Sequence, residues 1–189
     1  MKTILHLCAD IGSDSQPYKD AGYNVILVGS KIGVENYHPP ENIYGIIANP
    51  PCTHFSIART TAKTSRDLRE GMRLVKECLR IIWECQYRTT GDQRHSTLKF
   101  WALENPATGF LKWFLGAPAY RYAHHEWGGE LTKRTALWGY FNPPSLLNLC
   151  CDLPVGSTIG QKAEKTKHDM HTRSLCPPKF AQAFFEANP

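Results

Sequence analysis

The chain lacks any apolar run long enough to cross a membrane, because none of its hydrophobic stretches approaches the roughly 20 residues that a spanning helix needs. It also opens on a strand-like segment, residues 1–5, rather than on the charged and apolar pattern of a secretory leader. We therefore predict a soluble protein without membrane contact.

The chain also lacks the cysteine spacing of a disulfide framework. Its seven cysteines are odd in number, and Cys150 and Cys151 are adjacent. This pattern favours reduced thiols in a cytoplasmic compartment. Potential zinc ligands cluster near the C-terminus, but their spacing matches no common zinc pattern. These residues are Cys150, Cys151, His168, His171 and Cys176. The sequence therefore predicts no metal site.

No internal repeat or low-complexity tract is present, which argues against a solenoid or a disordered tail. A length of 189 residues with 42% hydrophobic content suits one substantial core. We predict a single domain over residues 1–189. The formal charge of +5 favours an anionic partner, although an excess of this size is common among soluble enzymes.

Short apolar runs predict the strands of a sheet that is buried on both faces. These runs are residues 4–8, 25–28, 43–48, 100–103 and 136–138. Apolar residues at steps of three and four predict a long helix up to Trp83, with Ser65 as its N-cap. Shorter helices are predicted at residues 16–21, 110–115 and 179–187. Strands that alternate with helices predict an α/β sandwich.

The turn after the third apolar run carries the most informative residues. Residues 49–52 read Asn-Pro-Pro-Cys, and two consecutive prolines fix φ and provide no backbone donor. Such a turn would hold the Cys52 thiol in one direction at the end of a strand. Nearby His54, Arg59 and Lys63 could increase its thiolate fraction. The alternative is a cysteine that is buried in a tight turn without a chemical role.

Polar residues also flank the last two apolar runs and follow the first. Glu104 precedes a proline that is expected to end the strand, so it either points into a cleft or caps a following helix. Lys133 and Arg134 precede the final run, where they could bind phosphate, reach a site or remain solvated. Residues 7–13 lead through a glycine toward a helix, as in nucleotide cradles.

Taken in order, these motifs resemble those of the cytosine-C5 DNA methyltransferases, most closely the small phage- or prophage-type members. Residues 7–12 resemble the first cofactor loop, residues 50–56 the nucleophile motif and residues 104–105 the acid motif. Residues 132–134 resemble the Gln-x-Arg element, and residues 173–184 occupy the place of the C-terminal motif. The resemblance spans nearly the whole chain. It implies a Rossmann-like methyltransferase sandwich, in which helices flank a mostly parallel central sheet.

The resemblance implies methyl transfer from S-adenosylmethionine to C5 of cytosine in DNA. Cys52 would add to C6 of the ring, while Glu104 contacts N3 and Arg134 contacts O2. The implied cofactor contacts are Cys8, Asp10, Gly12, Ser30, Asn49 and Pro51. The implied DNA contacts are Ser56, Arg59, Lys63, Arg66 and Lys133. A cytoplasmic location in a bacterial or phage-infected cell goes with this reading.

The chain departs from the family pattern at several positions. Asp10 stands where the family usually has its first glycine, and Ser30 follows the second strand where an acid is usual. Ala136 falls where the family has a second arginine. The segment from Phe141 to Arg173 is too short for the separate target recognition domain of full-length relatives. Reading of a DNA sequence would therefore need another source, such as a partner protein.

Two other functions remain open. Residues 49–51 also resemble the Asn-Pro-Pro-aromatic motif of the N4-cytosine and N6-adenine methyltransferases, although Cys52 takes the place of the aromatic residue. The departures at Asp10 and Ser30 are also compatible with a catalytically inactive nucleic-acid-binding module. Duplex DNA, single-stranded DNA and a free nucleotide all remain possible substrates.

Two further segments could contact nucleic acid. Residues 120–127 interleave aromatic and basic side chains, as single-strand stacking surfaces do, or else form a half-buried strand. A second group of cations forms either a phosphate patch or a solvated loop. It consists of Lys162, Lys165, Lys167 and Arg173.

Overall fold

The computed structural model of the chain describes residues 1–58, 62–90, 93–94, 96–129, 131–145 and 174–189. Its strands are β1 (Thr3–Leu7), β2 (Asn24–Val28), β3 (Ile43–Ala48), β4 (Thr89–Thr90), β5 (Gln93–Arg94), β6 (Phe100–Pro106), β7 (Tyr120–Ala123) and β8 (Arg134–Tyr140). Six of them form one mixed sheet in the order β2-β1-β3-β6-β8-β7, while β4 and β5 pair separately.

Four neighbouring strands of this sheet, β2, β1, β3 and β6, run parallel to one another. The strand β8 runs antiparallel to both β6 and β7. The amino end of β8 therefore lies beside the carboxyl end of β6, where Thr135 pairs with Pro106. The carboxyl ends of β1, β3 and β6 and the start of β8 consequently share one edge of the sheet.

Helices cover both faces of the sheet. They are α1 (Gln16–Asp20), α2 (Leu68–Gln86), α3 (Lys112–Leu115) and α4 (Pro178–Ala187), with 3-10 turns at Ser13–Ser15 and His124–Trp127. Side chains alternate along a strand, so that Leu5 and Leu7 pack toward α2 while Ile4 packs toward α4. Each face thus has its own apolar core. None of the described helices is long and apolar enough to span a bilayer.

The predicted α/β class and the mostly parallel sheet flanked by helices are confirmed. The helices predicted near residues 16–21 and 179–187 are found as α1 and α4. The helix predicted at residues 110–115 is shorter, because α3 begins only at Lys112. The predicted cap Ser65 is wrong, because Asp67 accepts the hydrogen bond from the Glu70 amide at 3.0 Å.

The prediction that Pro106 stops the fourth strand is confirmed, because β6 ends there, but the prediction that Glu104 follows the strand is wrong. The strand β6 continues through Pro106, and Glu104 lies within it rather than capping a helix. Pairing between β3 and β6 stops at Leu103, so the last residues of β6 have a partner strand only on the β8 side. Proline is tolerated there because its missing amide donor would face no neighbouring strand.

We predict that the aromatic packing of α4 makes a large contribution to the free energy of unfolding. The Phe180 ring is buried and stacks on Tyr122 with a centroid distance of 3.7 Å. Phe180→Ala should lower the free energy of unfolding by about 3–5 kcal/mol in urea denaturation. Gln182→Ala, which changes an exposed residue of the same helix, should lower it by less than about 1 kcal/mol. Equal effects would contradict this assignment.

Candidate functional site at the carboxyl edge of the sheet

The segment that follows β3 is fixed by backbone hydrogen bonds. The Cys52 carbonyl accepts from the amides of Phe55 at 2.9 Å and Ser56 at 2.8 Å. The Arg66 guanidinium donates to the carbonyls of His54 at 2.5 Å and Ser56 at 3.0 Å. Arg66, which sequence analysis assigned to DNA, therefore has a structural contact with the Cys52 loop. The Cys52 side chain itself is half-buried.

Two neighbouring strands hold the turn before Cys52. The Asn49 amide donates to the Leu7 carbonyl at the end of β1, at 3.0 Å. The buried Asn105 side chain, in β6, donates from Nδ2 to the Pro50 carbonyl at 3.0 Å. The direction of the turn is thus determined by β1 and β6 together with the two prolines. The role of Asn105 as an anchor was not apparent from the sequence, because it requires knowledge of the strand pairing.

The acid at this edge is paired with Lys133 rather than with Arg134. Lys133 Nζ lies 3.2 Å from Glu104 Oε1, with side-chain exposures of 27% and 13%. Side chains alternate along the β8 segment, so Lys133 and Thr135 lie on one face and Arg134 on the other. Arg134 is exposed, and no described hydrogen bond or ion pair joins it to Glu104.

The charge on Lys133 is stabilised by its surroundings. Burial by itself would lower the pKa of Lys133, but the attraction of Glu104 and its hydrogen bond outweigh this effect and raise that pKa above its usual value. The Cys52 and Asp14 side chains contribute in the same direction. Lys133 therefore remains a cation that is within electrostatic reach of both Glu104 and Cys52.

The loop after β1 and the loop after β2 are joined through a carboxylate. Asp10 Oδ1 accepts from the Ser30 amide at 2.7 Å and from Ser30 Oγ at 3.0 Å. A Cβ atom at Gly29 would lie only 2.1 Å from Asp10 Oδ1, so this contact requires glycine. Gly12 has φ of 77°, a left-handed conformation that glycine adopts without strain.

The other predicted cofactor contacts lie on both faces of this edge. Cys8 Sγ lies 3.7 Å from Sγ of Cys78 in α2, and this hydrogen bond lowers the pKa of Cys8. The Asn49 side chain lies on the opposite face, where Oδ1 is 3.2 Å from His6 Nε2 and Nδ2 donates to Asp14 Oδ2 at 3.3 Å. Pro51 is exposed.

Sequence analysis did not identify His6 as part of this network. His6 Nδ1 lies 2.9 Å from Ser15 Oγ, so the imidazole connects α1 to Asn49. Burial lowers the pKa of His6, while Asp14 and Asn49 oppose this effect. The imidazole is therefore neutral near pH 7. Its only signal in the sequence is a histidine within an apolar strand.

Of the two alternatives for residues 120–127, the half-buried strand is found over residues 120–123, and the Tyr122 and Trp127 rings are buried rather than available for stacking. Residues 120–123 form β7 and residues 124–127 form a 3-10 turn. The Tyr122 and Trp127 rings are buried against Phe180, with centroid distances of 3.7 Å and 5.2 Å. They are therefore covered by α4 and cannot stack on a base.

The remaining predicted contacts are only partly described. Ser56 is half-buried and accepts a hydrogen bond from the Ala58 amide at 3.2 Å, while Lys63 is exposed. Several of the residues that the sequence singled out lie outside the described part of the chain. Among the nucleic-acid contacts these are Arg59, Lys162, Lys165, Lys167 and Arg173, and among the metal-ligand types they are Cys150, Cys151, His168 and His171. Within the described ranges, no cluster of three or more His, Cys, Asp or Glu side chains could hold a metal ion.

The fold and this edge define an α/β protein in which a thiol, a carboxylate and an ammonium group meet where parallel strands end. No protein-family model and no curated protein matches the chain. Any functional assignment therefore depends on the chemistry of the edge itself.

The buried His124 should make stability depend on pH. Burial, with a further contribution from the Lys133 charge, lowers the pKa of His124 from 6.5 to about 4. Because the folded-state pKa of His124 lies below its ordinary value, the neutral imidazole adds to the free energy of unfolding. This contribution is fully present above pH 6.5 and is lost as the pH falls toward 4. We expect a loss of about 3 kcal/mol across this window that is missing in His124→Gln.

Urea denaturation at several pH values between 4 and 7 would measure this difference. His125→Gln is the matched control, because His125 is the exposed neighbour. A His124→Gln variant with the same pH dependence as the wild type and the control would contradict the assignment.

Proposed function

We propose that the protein transfers a methyl group from S-adenosylmethionine to C5 of cytosine in DNA, through a covalent adduct at Cys52. The observation that carries this proposal is the meeting of the rigid Cys52 turn with the Glu104–Lys133 ion pair at one edge of the sheet. A positioned thiol beside a carboxylate and a cation suits nucleophilic addition to an electron-poor ring.

We also propose that the sheet is of the Rossmann-like methyltransferase type. The chain passes from β1 to β2 on one side and returns to β3 on the other side of β1. Ligands of parallel α/β sheets bind outside the carboxyl ends of the strands at such a switch point. Asp10, Ser30 and Asn49 all follow these strands, which supports a ligand site there.

The residues at this switch point suit S-adenosylmethionine. Both hydrogen bonds from Ser30 go to Asp10 Oδ1, and Asp10 Oδ2 accepts none from the described residues. Asp10 Oδ2 would therefore accept hydrogen bonds from ribose hydroxyls, with the Gly12 loop beside it. When bound, S-adenosylmethionine supplies an electrophilic methyl group on a sulfonium ion. The chain has to make C5 of the cytosine ring nucleophilic enough to take this methyl group.

Cys52 and the ion pair together create that nucleophile. The interaction between two charges is mutual, so the Lys133 ammonium stabilises a thiolate at Cys52. The thiolate forms a bond to C6, and the electron pair of the C5–C6 double bond moves onto C5 and the N3–O2 side of the ring. Lys133 stabilises this charge, and Glu104 binds the N3 edge. C5 would then form a bond to the methyl carbon as the bond from that carbon to the sulfonium breaks, which leaves a neutral thioether. Transfer of the C5 proton to a base would return the electron pair to the C5–C6 bond and expel the Cys52 thiolate.

The geometry is less favourable for transfer to an exocyclic amine. That reaction needs the Asn49 side chain to bind the target amino group. Both ends of the Asn49 amide are already bonded to His6 and Asp14. We therefore keep this reaction, and an inactive binding module, as alternative outcomes of the experiments below.

The first experiment is mass spectrometry of nucleosides from DNA incubated with the protein and S-adenosylmethionine. Wild-type protein should produce 5-methylcytosine, and Cys52→Ala should produce none because the adduct cannot form. Asn49→Ala is the comparison variant. Methylated exocyclic amine that is lost in Asn49→Ala, but retained in Cys52→Ala, would establish the alternative transferase. The absence of product on duplex and single-stranded DNA would contradict the proposal.

A second experiment compares two adjacent cations. Lys133→Met should reduce the methylation rate by about 100-fold or more, because the charge beside Cys52 and Glu104 is removed. Arg134→Met should reduce it by less than about tenfold, because its side chain lies on the other face. Lys133→Arg should retain more activity than Lys133→Met. Thermal unfolding of each variant would separate a catalytic loss from misfolding, and an equal or larger loss in Arg134→Met would contradict the role of Lys133.

A further inference from the structure

Two large aromatic side chains are exposed on α3. Trp113 is 71% exposed and Phe114 is 48% exposed. Phe110 precedes them, and its ring meets the Trp113 ring edge to face with a centroid distance of 5.2 Å. We call Phe110, Trp113 and Phe114 the α3 platform. Exposed aromatic residues that lie together call for an explanation, and the charges around them indicate which partner they fit.

The α3 platform is attached to the loop that carries Cys52. The Phe110 amide donates to the Phe55 carbonyl at 3.0 Å, and the Phe55 amide donates to the Cys52 carbonyl at 2.9 Å. The Phe114 ring packs edge to face on Phe55 with a centroid distance of 6.3 Å. Two backbone hydrogen bonds thus connect the platform to the Cys52 carbonyl, so the platform and Cys52 belong to one rigid piece of the edge.

The surroundings of the α3 platform favour an anionic partner. The Arg66 guanidinium lies over the Phe110 ring at 4.5 Å from its centroid, and Lys63 and Lys112 are exposed. Neither the described Cys52 loop, residues 49–58, nor the segment that carries the platform, residues 105–116, contains an aspartate or glutamate, although Asp67 lies next to Arg66 and its amide donates to His54. Aromatic rings among cations are the combination that binds single-stranded nucleic acid, where bases stack and phosphates are neutralised.

We infer that the α3 platform stacks on bases of single-stranded DNA next to the cytosine that Cys52 attacks. The inference rests on the proposed function for the identity of that base. A ring on the protein surface can stack only on a base whose face is uncovered, and the bases of an intact duplex cover one another. Stacking of this kind does not distinguish one base from another. It therefore suits a chain whose segment between Phe141 and Arg173 is too short for a separate target recognition domain.

Fluorescence anisotropy with a labelled single strand of about a dozen nucleotides tests the inference without a methyl donor. Trp113→Ala should weaken binding by at least about fivefold, which is the lower limit for loss of one stacked base. Trp83→Ala is the matched control, because Trp83 is 66% exposed but lies on α2. It should bind as the wild type does. Trp113→Phe should retain most of the affinity.

Several outcomes would overturn the inference. They are no binding of the single strand by wild-type protein, equal affinities for Trp113→Ala and Trp83→Ala, and an unlabelled duplex that competes as well as an unlabelled single strand. Circular dichroism would verify that each variant is folded. Loss of binding in Trp113→Ala together with an absence of 5-methylcytosine would support the platform and contradict the methyl transfer. Formation of 5-methylcytosine together with unchanged binding in Trp113→Ala would support the methyl transfer and contradict the platform.

Discussion

The antiparallel register between β6 and β8 determines what chemistry the carboxyl edge can perform. Thr135 pairs with Pro106, and this register brings Lys133 to the same face as Glu104. A slip of one residue would turn each side chain to the other face of the sheet, where Arg134 would replace Lys133. The ion pair, the cation near Cys52 and the exposure of Arg134 are therefore consequences of a single strand pairing.

The polar residues behind this edge are held in their neutral forms by burial. Burial lowers the pKa values of His6 and His124 and raises those of Tyr122 and Cys176. The apolar core under α4 gives the charges beside it surroundings of lower effective dielectric constant than water, so they are screened less than charges on an open surface. In these surroundings Glu104 and Cys52 raise the pKa of Lys133. The apolar core under α4 thus contributes to the electrostatics of the site as well as to stability.

The sequence was most informative where local geometry decides the outcome. The two prolines before Cys52 predict a rigid turn without reference to any other segment, and the short helix at residues 16–21 is likewise predicted from a local pattern. Lys133 could not be distinguished from Arg134, because the face of each side chain depends on pairing with β6. The burial of Tyr122 and Trp127 depends on α4, which is far away in the chain. His6 gained its partners only through the folding of three separate segments.

The close approach of Asp10 to Gly29 shows how the loops after β1 and β2 fit together. The Asp10 carboxylate gives the first loop a side chain whose Oδ1 reaches the Ser30 amide of the second loop at 2.7 Å. The Asp10 carboxylate is accommodated because position 29 has no side chain. The Asp10 side chain in the first loop thus occupies space that a side chain at position 29 in the second loop would need. The Ala9 carbonyl oxygen would also lie 2.8 Å from a Cβ atom at position 29, so glycine is required there whichever side chain stands at position 10.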